Sequence, residues 1–303
     1  MLFVYALPMS TLVHFSPELR AWIGHNLARG CARSTLVDSM VAQGFESRIA
    51  DGMVTAFATA IARGAPLPGQ SVVLDLDTVV SYVPDPPRLT AGNRIRAADR
   101  DVEILMRLQR PCIAVLGNVL DEAECAQLIA LGTPRLSAST VVDPMTGTDR
   151  AAAHRSSDGM FFGLCENGFI EGLDRRISAL MGLPVEHGEG LQLLRYRPGC
   201  GSSPHYDFLV PQNDNNRASL ARSGQRVSTL VMYLNDVEAG GATEFPEPGL
   251  SVTPRRGNAV YFEYANRAGQ LDHATLHAGA PVERGEKWVL TKWMRARPFV
   301  AAG

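Results

Sequence analysis

The chain is organised around the stretch from Leu191 to Met294, which contains His205-Tyr206-Asp207, with His277 far downstream. Alternate side chains of a β-strand share one face, so His205 and Asp207 are predicted to point the same way. Two imidazoles and one carboxylate are the ligand set that holds Fe(II) on one face and leaves the other positions open. The third ligand can come from any part of the chain that the fold brings back to this strand. The stretch is therefore predicted to carry an iron centre.

The distal ligand is either His273 or His277, and the position of a downstream lysine favours one of them. Iron in such a site needs an electron source to activate O2, and a 2-oxo acid that chelates the metal can be that source. Its far carboxylate needs a cation, and Lys287, a point charge on a long stem, is the candidate. We prefer His277 because Lys287 follows it by ten residues, and we place His273 beside the site. An inward Tyr233 hydroxyl is a candidate second donor to the carboxylate.

Length and composition limit the possible domain organisation, partners and location of the protein. The chain has 303 residues, of which 46% are hydrophobic, enough for a substantial core and for one large domain plus a small one. A net charge of -2 argues against a nucleic-acid partner. The apolar run from Leu2 to Pro8 is too short to span a bilayer and lacks the basic start of a signal peptide. The five cysteines are scattered, without a CxxC pair, as in a reducing compartment. We therefore expect a cytoplasmic protein without a membrane partner.

The pattern divides the chain into three parts. Residues 1–65 are predicted to be a small helical bundle, because Ser16-Pro17 is a good helix start and apolar residues recur at helical spacing after it. Residues 66–100 are predicted to be a Pro-rich linker or arm that can add an edge strand. Residues 101–303 are predicted to be the catalytic domain. The bundle is a candidate for recruiting a partner or substrate.

Within the catalytic part, helices come first and antiparallel strands follow. A helix is predicted to start at Asp121 and another to end at Gly182. Segment 208–224 lacks apolar periodicity and is predicted to be a mobile lid. Fold class is therefore α+β, a jelly roll backed by helices with an N-terminal helical bundle. Strands are predicted at 102–105, 112–116, 191–196, 227–234, 259–263 and 287–294.

These motifs resemble the prolyl 4-hydroxylase branch of the Fe(II)/2-oxoglutarate-dependent dioxygenases. The resemblance covers roughly residues 100–297. It is carried by the segments Leu191–Gly199, Pro204–Asp207, Arg226–Thr243, Leu276–Val282 and Gly285–Trp293.

The resemblance implies a double-stranded β-helix with Fe(II), 2-oxoglutarate and O2 at one site, and ascorbate as a reductant. It implies iron at His205, Asp207 and His277. The Arg155-Ser156-Ser157 motif makes Arg155 a candidate substrate contact. The residues implied to hold or line the 2-oxoglutarate pocket are Lys287, Tyr233, Thr243, Tyr196 and Trp293.

The activity implied is an oxidoreductase that couples 2-oxoglutarate decarboxylation to hydroxylation of a C–H bond, with prolyl residues of a peptide or protein as the expected substrate. A first alternative is a hydroxylase of a free amino acid or a natural-product intermediate. A second, from another class, is a catalytically silent binding module. Halogenation is disfavoured, since related halogenases lack the carboxylate that Asp207 supplies. Ala242 departs from the acidic residue that the family often has in its Gly-Gly-x-Thr motif.

Overall fold

The computed structural model of the protein describes residues 10–62, 64–75, 82–138, 140–142, 149–151, 157–211 and 213–301. The chain divides into two compact units, Met1–Ser81 and Tyr82–Gly303. Each unit has its own hydrophobic core. The division falls inside the predicted linker, and the predicted boundaries at residues 65 and 100 stay predictions. Over the described ranges, no helix has both the length and the apolar character needed to cross a bilayer.

In the first unit, the described residues form three helices and a two-stranded antiparallel sheet. Its elements are β1 (Ser10–His14), α1 (Pro17–Ala28), α2 (Arg33–Val41), α3 (Ser47–Ala62) and β2 (Ser71–Asp75). The Ser16 side chain caps α1 by accepting from the Leu19 N–H at 3.2 Å. The expectation that the whole segment is helical is wrong for β1. Its β-branched residues favour a strand, and β2 supplies the partner.

The second unit begins with a helix-backed sheet. Its first elements in chain order are β3 (Arg94–Ala97), β4 (Arg100–Leu108), β5 (Cys112–Gly117), α4 (Glu122–Gly132), β6 (Ser137–Ala138), β7 (Thr140–Val142), β8 (Asp149–Ala151), β9 (Ser157–Phe162) and α5 (Gly168–Met181). Asp121 and Glu124 form a capping box at the predicted start of α4. Gly182 ends α5 in the left-handed region, with φ 64°.

The remaining elements are mostly strands. They are β10 (Leu191–Tyr196), β11 (Ser202–His205), α6 (Asp214–Ser223), β12 (Arg226–Tyr233), β13 (Ala239–Gly240), β14 (Thr243–Phe245), β15 (Leu250–Val252), β16 (Ala259–Glu263), β17 (His277–Gly279), β18 (Val282–Arg284) and β19 (Lys287–Arg295).

Two antiparallel sheets face one another. The larger has nine strands in the order β3-β4-β5-β16-β12-β19-β10-β9-β6, and the smaller has four in the order β11-β17-β14-β15. Phe245 of the smaller sheet packs edge-on against Phe262 of the larger, with ring centroids 5.2 Å apart. The predicted double-stranded β-helix backed by helices is confirmed.

The segment predicted to be a mobile lid contains a helix. Asn213 caps α6 by accepting from the Asn216 N–H at 2.8 Å, and Gly224 follows its last residue. The helix lacks an apolar stripe, and hydrogen bonds from Arg295 and Arg297, outside the segment, hold its end. Such distant partners leave no periodic signal in the local sequence.

Candidate active site

Strand pairing brings the three predicted metal ligands together. His205 ends β11, His277 begins β17, and the two are direct cross-strand partners in an antiparallel ladder. Their ring centroids lie 4.4 Å apart. Asp207 follows His205 by two residues, and the ligand atoms of all three side chains lie within 4.8 Å of one another. Over the described ranges this is the one such cluster of three or more potential ligands.

The hydrogen bonds of the two histidines suit metal binding. His205 Nδ1 lies 2.8 Å from the Ser203 carbonyl oxygen, and His277 Nδ1 lies 3.0 Å from that of Thr275. A carbonyl only accepts, so each Nδ1 carries the hydrogen and each Nε2 presents a lone pair. Both Nε2 atoms are 3.7 Å from an Asp207 carboxylate oxygen, beyond hydrogen-bonding distance. The donor set fits a divalent transition-metal ion.

The Asp207 carboxylate is buried, at 6% exposure, and oriented by a neighbour. Thr229 Oγ1 donates to Asp207 Oδ2 at 2.7 Å and also lies 3.0 Å from the Tyr264 hydroxyl. Burial raises the pKa of Asp207, but His277, His205 and other favourable partners outweigh it and hold that pKa below its usual range. The group is therefore a carboxylate at neutral pH.

Lys287 lies in the same cavity, which has a volume of about 610 Å³. Its Nζ is 5.7 Å from the ring centroids of both Tyr196 and Tyr233. Only 5% of the residue is exposed, and burial lowers the pKa of the ammonium to about 8. In the described part of the chain no acidic side chain forms an ion pair with it. A buried cation without an acidic partner is a ready site for an anionic ligand.

The other residues predicted for the pocket occupy different positions around Lys287. Tyr196, Thr243 and Trp293 line the cavity. Tyr233 is buried at 1% exposure, and its hydroxyl donates to Thr243 Oγ1 at 2.8 Å. The hydroxyl pair therefore lies at the Lys287 end of the cavity, and its role toward the co-substrate stays a prediction.

Two further predicted residues remain, one beside the cluster and one outside the described residues. His273 is outside the ligand set and packs edge-on against Tyr206 and Phe208, at 5.2 Å from each ring centroid. Its predicted flanking position agrees with this contact. Arg155 lies outside the described residues, so its role as a substrate contact stays a prediction.

Sequence reasoning missed several residues of the cavity wall. Arg226 stands with its guanidinium carbon 4.1 Å from the centroid of the Trp293 ring. Phe161, which is 52% exposed, and Gln192 are cross-strand partners on the same wall. The signal for Arg226 was a charged residue at the head of an otherwise apolar strand. No local sequence pattern predicted that Phe161 lines the cavity, because the wall is formed by strands that are distant in sequence.

The comparisons with known proteins agree with this geometry. Residues 191–295 match the model of the 2OG-Fe(II) oxygenase superfamily. Probable prolyl 4-hydroxylase 3 of Arabidopsis thaliana is 38% identical over 208 residues, which cover 62% of this chain and 71% of the relative. Prolyl 4-hydroxylase 1 of the same plant is 38% identical over 224 residues, covering 66% and 77%.

Among solved structures, the viral collagen prolyl hydroxylase from Paramecium Bursaria Chlorella virus-1 is similar at 26% identity and a TM-score of 0.48. The match covers 61% of this chain and 96% of that one. With relatives above 30% identity matched over more than two thirds of their length, the chain belongs to the prolyl 4-hydroxylase family of Fe(II)- and 2-oxoglutarate-dependent dioxygenases.

Proposed function

We propose that this dioxygenase hydroxylates prolyl residues in a peptide or protein and couples that step to 2-oxoglutarate decarboxylation. The observation that carries the proposal is the convergence of His205, Asp207 and His277 in one cavity with the Lys287 ammonium, which has no acidic partner among the described residues. The prolyl 4-hydroxylases among its relatives support the choice of substrate.

In this proposal the metal is held by the Nε2 atoms of His205 and His277 and by the Asp207 carboxylate. The Ser203 and Thr275 carbonyls fix the two imidazole tautomers, and Thr229 orients the carboxylate. Bound Fe(II) supplies the redox chemistry for O2 activation, which side chains cannot provide. The protein supplies rigid, pre-oriented ligands, so little reorganisation accompanies metal binding.

Lys287 is proposed to anchor the distal carboxylate of 2-oxoglutarate. The buried ammonium gains an ion pair there, which offsets the desolvation that lowers its pKa to about 8. Thr243, Tyr196 and Trp293 line the same cavity, and Thr243 accepts a hydrogen bond from the Tyr233 hydroxyl. We propose ascorbate as the reductant that keeps the iron ferrous between turnovers.

The N-terminal unit is proposed to recruit the substrate. It carries a groove of about 470 Å³ whose lining includes Phe15, Trp22 and Phe45. Aromatic grooves bind extended proline-containing segments, so the proposed occupant is a stretch of the peptide substrate. Trp22→Ala should raise KM for long proline-containing peptides and leave KM for short ones unchanged. An equal effect on both lengths would argue against recruitment.

The test of the reaction is mass spectrometry of proline-containing peptides and lysate proteins incubated with enzyme, Fe(II), 2-oxoglutarate and ascorbate. We expect an oxygen added to proline only when 2-oxoglutarate is present, with matching succinate release. Turnover of a free amino acid or small amine, with none on any peptide, would favour the small-molecule alternative. Absence of succinate release under all conditions would indicate a binding module. Cell fractionation tests the proposed cytoplasmic location.

A further inference from the structure

Helix α6 is held at its end by two arginines from the C-terminal part of the chain. Arg295 Nη2 donates to the Ser219 carbonyl at 2.9 Å and to the Gly224 carbonyl at 2.6 Å. Arg297 Nη2 donates to the Leu220 carbonyl at 2.9 Å. Carbonyls in the last turn of a helix lack partners within the helix, and Arg297 Nη2 also donates to one of these, that of Ala221, at 2.7 Å.

The two arginines differ in what else they contact. Arg297 is exposed, and within the described residues it makes no hydrogen bond to Glu189. Arg295 is only 1% exposed, and its Nη1 donates to Glu189 Oε1 at 2.9 Å. Arg295 therefore bridges α6 and a buried carboxylate, whereas Arg297 contacts the helix from the solvent side.

The Glu189 carboxylate is shared with a second arginine, at the cavity wall. Arg226 Nε donates to Oε1 at 2.7 Å and Arg226 Nη2 to Oε2 at 2.8 Å. The backbone of Glu189 is fixed independently, because its N–H donates to the Trp293 carbonyl at 3.0 Å and its own carbonyl accepts from Lys292 Nζ. With the backbone fixed, the position of the carboxylate depends on the two guanidinium groups.

Arg226 in turn contacts the reaction cavity. Its guanidinium stacks on Trp293, and its Nη1 lies 3.4 Å from the backbone carbonyl of Asp207. The contacts therefore run without a gap from α6 through Arg295, Glu189 and Arg226 to the cavity wall.

We propose that Arg295 is a positioning residue that couples α6 to Arg226, so that the helix and the part of the cavity wall that carries Arg226 are ordered together. The planar guanidinium reaches the helix carbonyls and the Glu189 carboxylate at the same time, which a lysine cannot do. The role toward a peptide rests on the proposed function. The coupling of α6 to the wall is a property of the folded chain and is measurable without a substrate.

Amide hydrogen exchange of the full chain tests the coupling. Arg295→Lys should speed exchange in residues 214–223 and also in residues 205–210, which carry Asp207. Arg297→Lys is the matched control, because it removes donors from the same helix end but leaves Glu189 untouched. It should speed exchange in α6 alone. Equal effects of the two variants on residues 205–210 would overturn the coupling.

Steady-state kinetics test the consequence for the substrate. In Arg295→Lys we expect KM for a proline-containing peptide to rise about tenfold, the size of one lost hydrogen bond to a charged group. KM for 2-oxoglutarate should rise less than KM for the peptide, since Lys287, which pairs with its distal carboxylate, is not in the network. An equal rise in both constants would indicate general loosening and overturn the role. If no peptide is turned over by the wild type, the proposed function fails while the exchange result stands by itself.

A second variant covers the case in which Arg295→Lys does not fold. Coupling between two sites is reciprocal, so a substitution at the cavity wall must also change the stability of α6. Arg226→Lys breaks the two-point pair with Glu189 and should speed exchange in α6, although Arg226 makes no hydrogen bond to that helix among the described residues. Unchanged exchange in α6 would overturn the proposal.

Discussion

His277 is the residue on which the metal site depends most, because it comes from a different part of the chain than the other two ligands. We expect His277→Ala to abolish coupled turnover and to remove Fe(II) or Co(II) binding in titration. His273→Ala is the control. His273 packs on Tyr206 and Phe208 and is not in the ligand cluster, so metal binding should persist. Retained metal affinity in His277→Ala would remove His277 from the ligand set.

Lys287 predicts a pH dependence of co-substrate binding. Only the ammonium form pairs with a carboxylate, and the pKa of the buried group is lowered to about 8. Below that pH the charge is present, and above it the charged fraction falls about tenfold per pH unit. KM for 2-oxoglutarate should therefore be flat below pH 8 and rise above it.

Lys287→Arg provides the comparison for this pH profile. A guanidinium stays protonated over the whole range, so the variant should bind 2-oxoglutarate more weakly but without the rise above pH 8. A rise of the same size in the variant would assign the pH dependence to another group.

At the scale of elements, Arg176 ties helix α5 to the start of α4 and to the turn before β4. It is 3% exposed and pairs with Glu124 at 2.6 Å and with Asp99 at 2.6 Å. Its removal takes hydrogen bonds from the partly buried Glu124, which keeps Arg100 as an ion-pair partner, and from the Val119 carbonyl. Hydrogen bonds to charged groups contribute about 1.5–3 kcal/mol, so Arg176→Met should lower the free energy of unfolding by about 2 kcal/mol in urea titration.

The neighbouring Arg175 is the control on the same helix. Its side chain is 68% exposed, and its ion-pair partner in the described part of the chain is Glu171, one turn earlier. Exposed pairs of this kind contribute little, so Arg175→Met should change the free energy by less than about 0.5 kcal/mol. Similar losses from both variants would mean that burial of the Arg176 network does not matter.

At the scale of the whole molecule, the two separate cores predict two unfolding transitions. The first core is built from residues between Phe15 and Leu74, and the second from residues between Leu89 and Met294. The metal ligands belong to the second unit alone. Mn(II), which binds the same donors, should raise the melting temperature of one transition only.

A ligand that binds only the folded state at a hundred times its Kd adds about 2.7 kcal/mol, which is easily measured by calorimetry. Asp207→Ala should remove this metal-dependent shift and leave the other transition in place. A shift of both transitions would indicate that the two units unfold as one.

The sequence alone determined the chemistry of this protein. His205 and Asp207 are two residues apart, and Lys287 follows His277 by ten residues. These short-range spacings were enough to predict the metal-ligand types and the cation that binds the co-substrate. Tertiary structure decided that His205 and His277 become cross-strand partners, that Thr229 orients Asp207, and that Arg295 reaches both α6 and Glu189. These contacts join residues far apart in the chain, and no local period of 2 or 3.6 residues encodes them.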